Sequence, residues 1–334
     1  MEKKSKVEET NTIGRRSFIG GGIIAGIAIA IPSTVAAMMQ NIAKSVSIGV
    51  ITDLHHDLMP DGMERLHTFL SHMEKTKPDA LLQMGDFAFP SLKNKPVVDR
   101  FNGAHETRMH VLGNHDTDAG HTTQQCLDLW EMPAPYYTKT IGGISFIILN
   151  GNEKGSPKQN GYPSFIGEKQ VSWLKQTLEE LKGPVIIVSH QPLAGAFAVD
   201  NAAEIQEILS QFSDKILLAI NGHTHLDQLV TKNNINYLHI NSASYFWVGD
   251  QYLNKNFPDD VLKKHPILTQ TCPYESSLFA TLIVDPVRMT VRLEGTNSSW
   301  MGKSPAELGY KDEEILIAGK DIAPRISNRK LSRK

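Results

Sequence analysis

An α/β fold is what this sequence predicts, and three observations predict it. Short apolar runs rich in β-branched residues end abruptly in polar ones. Helical stripes of apolar residues lie between several of these runs. The composition is that of an ordinary globular chain, 40% hydrophobic and 21% charged over 334 residues. The runs are VSIGVITD (46–53), ALLQMGD (80–86), RMHVLGNHD (108–116), ISFIILN (144–150), PVIIVSH (184–190) and ILLAINGHTH (216–225). Their nearly continuous hydrophobicity is that of strands covered on both faces, as in parallel sheets.

The stripes come next. Met63, Leu66, Leu70 and Met73 recur at helical spacing, as do Val171, Leu174, Leu178 and Leu181, and then Ile205, Ile208, Leu209 and Phe212. Each set puts an apolar face against a sheet. Downstream, YLHINSA (237–243) predicts another strand, and LFATLIVDPVRMTVRLEG (278–295) a hairpin that turns at Asp285-Pro286. Residues 246–275 are rich in Tyr, Asn, Pro and Lys and read as an irregular excursion. The extension 297–334 closes on RISNRKLSRK, with five positive charges and no acid after Asp321. This is the pattern of a solvated basic tail, with weak membrane-surface contact as the alternative.

Residues 1–37 read as a leader. Arg15-Arg16 precede Ser17, Phe18 and Ile19, a Gly-rich apolar stretch runs to Ile31, and Val35-Ala36-Ala37 offer small residues for cleavage. This resembles a twin-arginine export signal. It implies the twin-arginine export machinery as a partner, a periplasmic or extracellular destination, and a chain that folds before export, often with its cofactor. The apolar core, about 14 residues, is short for a membrane span; an uncleaved N-terminal anchor is the alternative. The catalytic domain is then 45–296. The net charge is −2, and removing the leader makes the remainder more acidic. That argues against stable nucleic-acid binding, because phosphate contacts need Lys and Arg. Cys126 and Cys272 either pair, as exported cysteines often do, or are two small buried residues. Neither lies in a metal-ligand spacing.

The strand ends carry the chemistry. They read Asp53-Leu54-His55, Gly85-Asp86, Gly113-Asn114-His115-Asp116, Ser189-His190-Gln191 and Gly222-His223-Thr224-His225. Carboxyl ends of strands are where ligands bind in open α/β sheets. Taken singly, each has a plain structural reading as a helix cap, a turn or a surface histidine. Taken together and in this order, they form one metal-capable set.

That set, D-x-H, G-D, G-N-H-D, a lone His and G-H-x-H, resembles the calcineurin-like metallophosphoesterase superfamily over about residues 46–245. Tyr136-Tyr137 ahead of IGGISFIILN is similar to its extracellular and periplasmic branches. The resemblance implies a four-layer αββα sandwich of two mixed β-sheets flanked by helices, with a dinuclear metal site at the strand ends. It implies Asp86 as the bridging ligand, Asp53, His55 and His225 on the first metal, and Asn114, His190 and His223 on the second. It also implies a metal-bridging hydroxide as nucleophile, His115 as general acid and Asp116 holding the His115 imidazole. Asn114 and His56 are candidates for substrate contact, though His56 also reads as merely exposed.

The residue types fit that chemistry on physical grounds. Two divalent ions about 3.5–4 Å apart can clamp the attacking and leaving oxygens of an in-line displacement at phosphorus. A carboxylate can bridge them with its two oxygens. Imidazole mixed with oxygen donors suits Mn, Fe or Zn better than Mg or Ca. One departure matters: purple acid phosphatases place a metal-binding Tyr three residues after the bridging Asp, and here that residue is Phe89. A tyrosinate-bound ferric site is therefore not expected. His121 and Tyr136 are weaker candidates, and Asp57 and Asp118 read as surface or turn residues. The expected activity is metal-dependent hydrolysis of a phosphate mono- or diester. A nuclease or a nucleotide or lipid-headgroup hydrolase is a narrower alternative. A non-catalytic metal- or protein-binding module on the same fold is the alternative of another class.

Overall fold

A computed structural model describes residues 45–158, 161–311 and 321–332; the leader reading lies outside the described residues. The first sheet opens with three parallel strands, β1 (Val46–Ile51), β2 (Ala80–Gln83) and β3 (Arg108–His110). The second holds β4 (Tyr137–Ile141), β5 (Ile144–Ile148), β6 (Val185–Ser189), β7 (Ile216–Asn221), β8 (Gln228–Lys232) and β9 (Ile235–His239), in the order β4-β5-β6-β7-β9-β8. Its central strands β5, β6, β7 and β9 run parallel, and β4 and β8 close the edges antiparallel. A small antiparallel ribbon pairs β10 (Tyr245–Trp247) with β11 (Thr271–Pro273). The chain then returns to the first sheet through β12 (Ala280–Asp285), β13 (Thr290–Gly295) and β14 (Arg329–Ser332), completing the order β14-β13-β12-β1-β2-β3.

The layers follow from the side-chain period of two along a strand. Ile48 and Val50 of β1, Phe146 and Ile148 of β5, Ile186 and Val188 of β6 and Leu282 and Val284 of β12 meet in one core between the sheets. The alternate residues face outward. On the first sheet, Ile51 and Leu81 pack under α1 (Gly62–Thr76), α2 (Lys95–Asn102) and α3 (Thr123–Trp130). On the second, Ile147, Val185 and Ile187 pack under α4 (Glu168–Glu180) and α5 (Ala202–Ser210). The expected stripes supply these helix faces: Leu66, Leu70 and Met73 on α1, Val171, Leu174 and Leu178 on α4, Ile205, Ile208 and Leu209 on α5. Burying each such side chain stabilises the fold by about 1.5–3 kcal/mol. The result is the four-layer αββα sandwich with two mixed sheets. Among the described residues no helix is long and apolar enough to cross a membrane.

Five strands depart from the expectation, β4, β8, β10, β11 and β14. Strands β4 and β8 are edge strands with mostly exposed Thr and Lys side chains, so they lack the apolar run that marks a buried strand. Strand β14 belongs to the tail, which is not simply solvated. Ile326 is fully buried, Ile322 and Leu331 pack partly buried on the central core, and Arg329 and Lys330 pair in register with β13. The excursion at 246–275 contains β10, β11 and a short helix, α6 (Asp259–Lys264). Both cysteines are free and buried in different cores, Cys126 beneath α1–α3 and Cys272 between the sheets, so they do not pair.

Candidate metal centre

Each metal-capable residue sits where a strand gives way to a tight turn. Asp53, His55, Asp86, His223 and His225 all have positive φ, between 47° and 66°. Non-glycine residues rarely adopt this conformation, and when they do it is often at a functional site. Two glycines allow the turns to close on one another. A Cβ at Gly113 would lie 2.1 Å from Asp86 Oδ1, and one at Gly222 would lie 2.5 Å from Asp53 Oδ2. The glycines of G-N-H-D and G-H-T-H therefore admit the carboxylates of neighbouring strands.

The turns assemble two groups, Asp53–His55–His225 and Asp86–His190–His223, each with its ligand atoms within 4.8 Å of one another. Asp53, His55 and His225 thus stand together, and His190 and His223 stand with Asp86. Asp86 Oδ2 lies 3.1 Å from His190 Nε2 and 3.7 Å from His55 Nε2, so one carboxylate stands between the groups. Asp53 Oδ1 lies 3.1 Å from His225 Nε2. His190 Nδ1–H donates to the Met84 carbonyl at 2.8 Å, which turns Nε2 toward the carboxylates. The His115 amide donates to Asp86 Oδ1 at 2.8 Å, so the turn bearing Asn114 is anchored to that carboxylate.

The polar atoms here fit a pair of cations. Asn114 Oδ1, His190 Nε2 and His225 Nδ1 are buried without a hydrogen-bond partner, although buried polar atoms are nearly always paired. Burial alone would raise Asp53, but His225 and His190 hold it at about 2. Burial would also raise Asp86, yet His190 and His115 keep it well below the usual carboxylate range. Burial pushes His55 and His223 down to about 3, so both rings stay neutral and able to coordinate. Tyr245, absent from the sequence reading, closes the back of the site. Its ring centroid lies 5.0 Å from that of His55 and 5.0 Å from that of His225.

The proton-handling residues differ from the expectation in one respect. Asp116 does not hold His115. It is buried, and its carboxylate accepts the amides of Asp86, Phe87 and Gly113 at 2.7–2.9 Å. His115 Nδ1–H instead donates to Asp118 Oδ2 at 2.7 Å. Asp118 also accepts the Tyr162 hydroxyl at 2.9 Å, and the Tyr162 ring stands edge-on to His115, 4.8 Å away. The reason is local: His115–Gly120 forms a short 3₁₀ turn, which brings the residue three positions on, not the next one, beside the imidazole. Burial would lower His115, but Asp86 and the Asp118 hydrogen bond raise it to about 9. The i, i+3 spacing of His115 and Asp118 was a signal available in the sequence; nothing in it pointed to Tyr162.

His56, Tyr136 and His121 fall outside the site, whereas Asp57, read as a surface or turn residue, lines the cavity. His56 packs against Gly62 and does not line the cavity above the ligands. Tyr136 packs on Trp173, with ring centroids 4.9 Å apart, and Asp57 accepts the Phe89 amide and the Asn94 side chain. His121 lies beside Phe89, with ring centroids 5.8 Å apart.

Paired ligand groups at strand ends, between the sheets of an αββα sandwich, define a dinuclear-metal hydrolase scaffold. The sequence profile of the calcineurin-like phosphoesterases matches residues 46–227, and the chain belongs to that family. It is a metal-dependent phosphoester hydrolase by that membership. No curated protein matches the chain by sequence. Among solved structures, GAP50, described as the anchor in the inner membrane complex of Plasmodium, superposes with a TM-score of 0.52 at 14% identity. That superposition spans 87% of this chain and 89% of that one. A dimetal phosphatase from Danio rerio gives 0.49 at 14% identity, over 75% and 95% of the two chains. A putative 5'-nucleotidase from Staphylococcus aureus gives 0.44 at 12%, over 72% and 51%. At such identities the first of these shows the fold alone.

Proposed function

We propose that the chain seats a phosphoryl group over the two ligand groups and that His115 delivers a proton to the departing oxygen. The observation that carries this reading is the position of His115. Its ring lines the cavity above Asp86, and its Nδ1–H is tied to Asp118, which leaves Nε2 to hold the transferable proton. Asp86, Asp53, His55, His190, His223 and His225, with Asn114, are the residues that would hold two divalent ions. Four imidazoles beside two carboxylates favour Mn, Fe or Zn. When bound, such ions lower the pKa of water and spread the negative charge of the phosphoryl oxygens.

The chain's own groups do the rest. Asp118 fixes the His115 ring and favours its protonated form. Asp116 pins the Asp86 and Phe87 amides and so sets where the bridging carboxylate stands. The buried Tyr245 ring keeps water from the backs of His55 and His225. Asn114 offers a buried amide oxygen to a metal or, as its amide, a contact to the substrate. In the overall reaction a water oxygen bonds to phosphorus, the ester P–O bond breaks, the leaving oxygen takes its proton from His115, and the proton lost by the water restores His115 through solvent.

The direct test compares hydrolysis of an aryl phosphodiester and the matching monoester by chain reconstituted with Mn or Zn, with His115→Ala as control. Metal-dependent turnover that drops in the variant supports the reading, and the ratio of the two esters decides between diesterase and monoesterase. A metal-loaded chain that cleaves neither overturns it. The Arg15-Arg16 leader supports an exported enzyme; changing both to Lys should retain the chain inside the cell, and unchanged delivery overturns that part.

A further inference from the structure

The cavity above the ligand groups measures about 970 Å³, room for a whole small organic molecule and not only a phosphate. Large apolar side chains stand open around it. Phe197 is 50% exposed, Tyr162 47%, Trp247 41% and Ile267 36%, and all four line the same cavity. Exposed apolar groups gathered on one concavity mark a binding surface. Phe197 also pays for its position in backbone strain. Its φ is +55°, a conformation costly for a bulky residue, and its ring stands perpendicular to the His223 ring, 6.3 Å away.

The charge of the cavity limits what else can enter. Among the described residues lining it, Lys311 is the one Lys or Arg, against Asp57, Asp116, Asp118 and Asp250 outside the ligand groups. Beyond the metal centre and His115, a polyphosphate or a nucleic-acid strand would bring its further anionic groups to Lys311 alone. A single phosphoryl group, by contrast, is matched by the metal centre itself.

We infer that the substrate is an ester of one phosphoryl group bearing a bulky apolar organic substituent, which packs against Phe197, Tyr162 and Trp247. This rests on the phosphoesterase reading. Aryl groups and the alkyl chains of lipids share the required chemistry, and the test separates them.

The test uses p-nitrophenyl phosphodiesters whose second substituent is methyl, hexyl or phenyl, so that leaving group and charge stay constant. Metal-loaded wild type should show kcat/KM at least ~10-fold higher for hexyl or phenyl than for methyl, mostly through KM. A larger gain for hexyl points to a lipid source and a larger gain for phenyl to an aryl one. Phe197→Ala and Trp247→Ala, singly and combined, should collapse the ratio toward unity, while Phe197→Leu should keep the hexyl preference. Equal values for methyl, hexyl and phenyl in wild type overturn the inference, as does a ratio that persists in the double variant. If no ester turns over, the phosphoesterase reading fails by itself. The inference is then decided by calorimetric binding of methyl-, hexyl- and phenylphosphonate to the metal-loaded chain. A ~10-fold tighter hold on the larger two upholds the preference of the cavity for an apolar substituent on one phosphoryl group, and equal binding overturns it.

Discussion

At the floor of the cavity, five of the six carboxylate and imidazole ligands take a left-handed backbone, and each carboxylate is fixed by buried neighbours. At the rim, Phe197 alone among the four exposed apolar residues has that conformation, and Tyr162 is tied down through one hydroxyl. The floor is costly backbone held by many hydrogen bonds; the rim is a mix of loops, a short ribbon strand and a 3₁₀ turn carrying large side chains. The difference separates two tasks. Chemistry needs atoms placed to a fraction of an ångström, so strain is tolerated there. Recognition of an apolar group needs area and shape, which loops supply and can vary.

The largest effect should come from the floor. Asp86→Asn removes the charge that stands between the two groups, and we expect loss of metal with a fall in turnover of about 10³-fold or more. Elemental analysis beside kinetics checks this; a fully metallated variant would break the bridging assignment. His115→Ala should cost about 10²–10⁴-fold on esters with poor leaving groups and leave metal content intact. Normal turnover of such esters would remove the acid role.

Asp118→Asn should cost less, about 10–100-fold, as part of what the general acid supplies. It should also move the pH profile in a defined direction. On the proposal that His115 acts in its protonated form, activity should be lost as pH rises through its pKa. Asp118 raises that pKa, and without its charge the alkaline limb should fall at lower pH. Asp116→Asn should instead loosen the Asp86 turn, read as a lower melting temperature and weaker metal retention. If the two variants gave the same signature, the assignment of separate roles would fail.

The smallest effect lies behind the floor. Asp227, two residues after His225, accepts from Ser327 and pairs with Arg325 and Arg329 of the tail. Burial would raise its pKa, but the Ser327 and Arg329 hydrogen bonds lower it. Asp227→Asn should cost about 1–3 kcal/mol near neutral pH, measured by denaturant unfolding. A folded-state pKa below the ordinary value gives stability that is present above the unfolded pKa and lost as pH falls through the folded one. The gap between variant and wild type should therefore narrow in acid. A gap that is constant down to pH 2 would sink the ion-pair account.

What the sequence made legible follows the same divide. Strands β1, β2, β3, β5, β6 and β7 announced themselves because both faces are covered, and their ends carried Asp and His in recognisable order. Asp116 was expected to hold His115 and Asp118 does so instead, because neighbour order in sequence is not neighbour order on a 3₁₀ turn. Tyr162 and Phe197 sit on loops and Trp247 ends the short ribbon strand β10, all placed by tertiary packing, and no local pattern brings their rings above a metal ligand. The tail misled because its charges dominate its composition, while Ile326 and Leu331 decide where it goes.

The candidate ligand groups draw on both sheets: Asp53, His55 and Asp86 follow β1 and β2, while His190, His223 and His225 follow β6 and β7. Ions seated there would rivet one half of the sandwich to the other, and neither half could hold them alone. Occupancy and folding are then a single linked equilibrium. Metal supplied at a hundred times its dissociation constant adds about 2.7 kcal/mol to the stability of the whole chain. The resistance of this protein to heat and proteases would then follow the metal content of its surroundings, in the absence of any substrate.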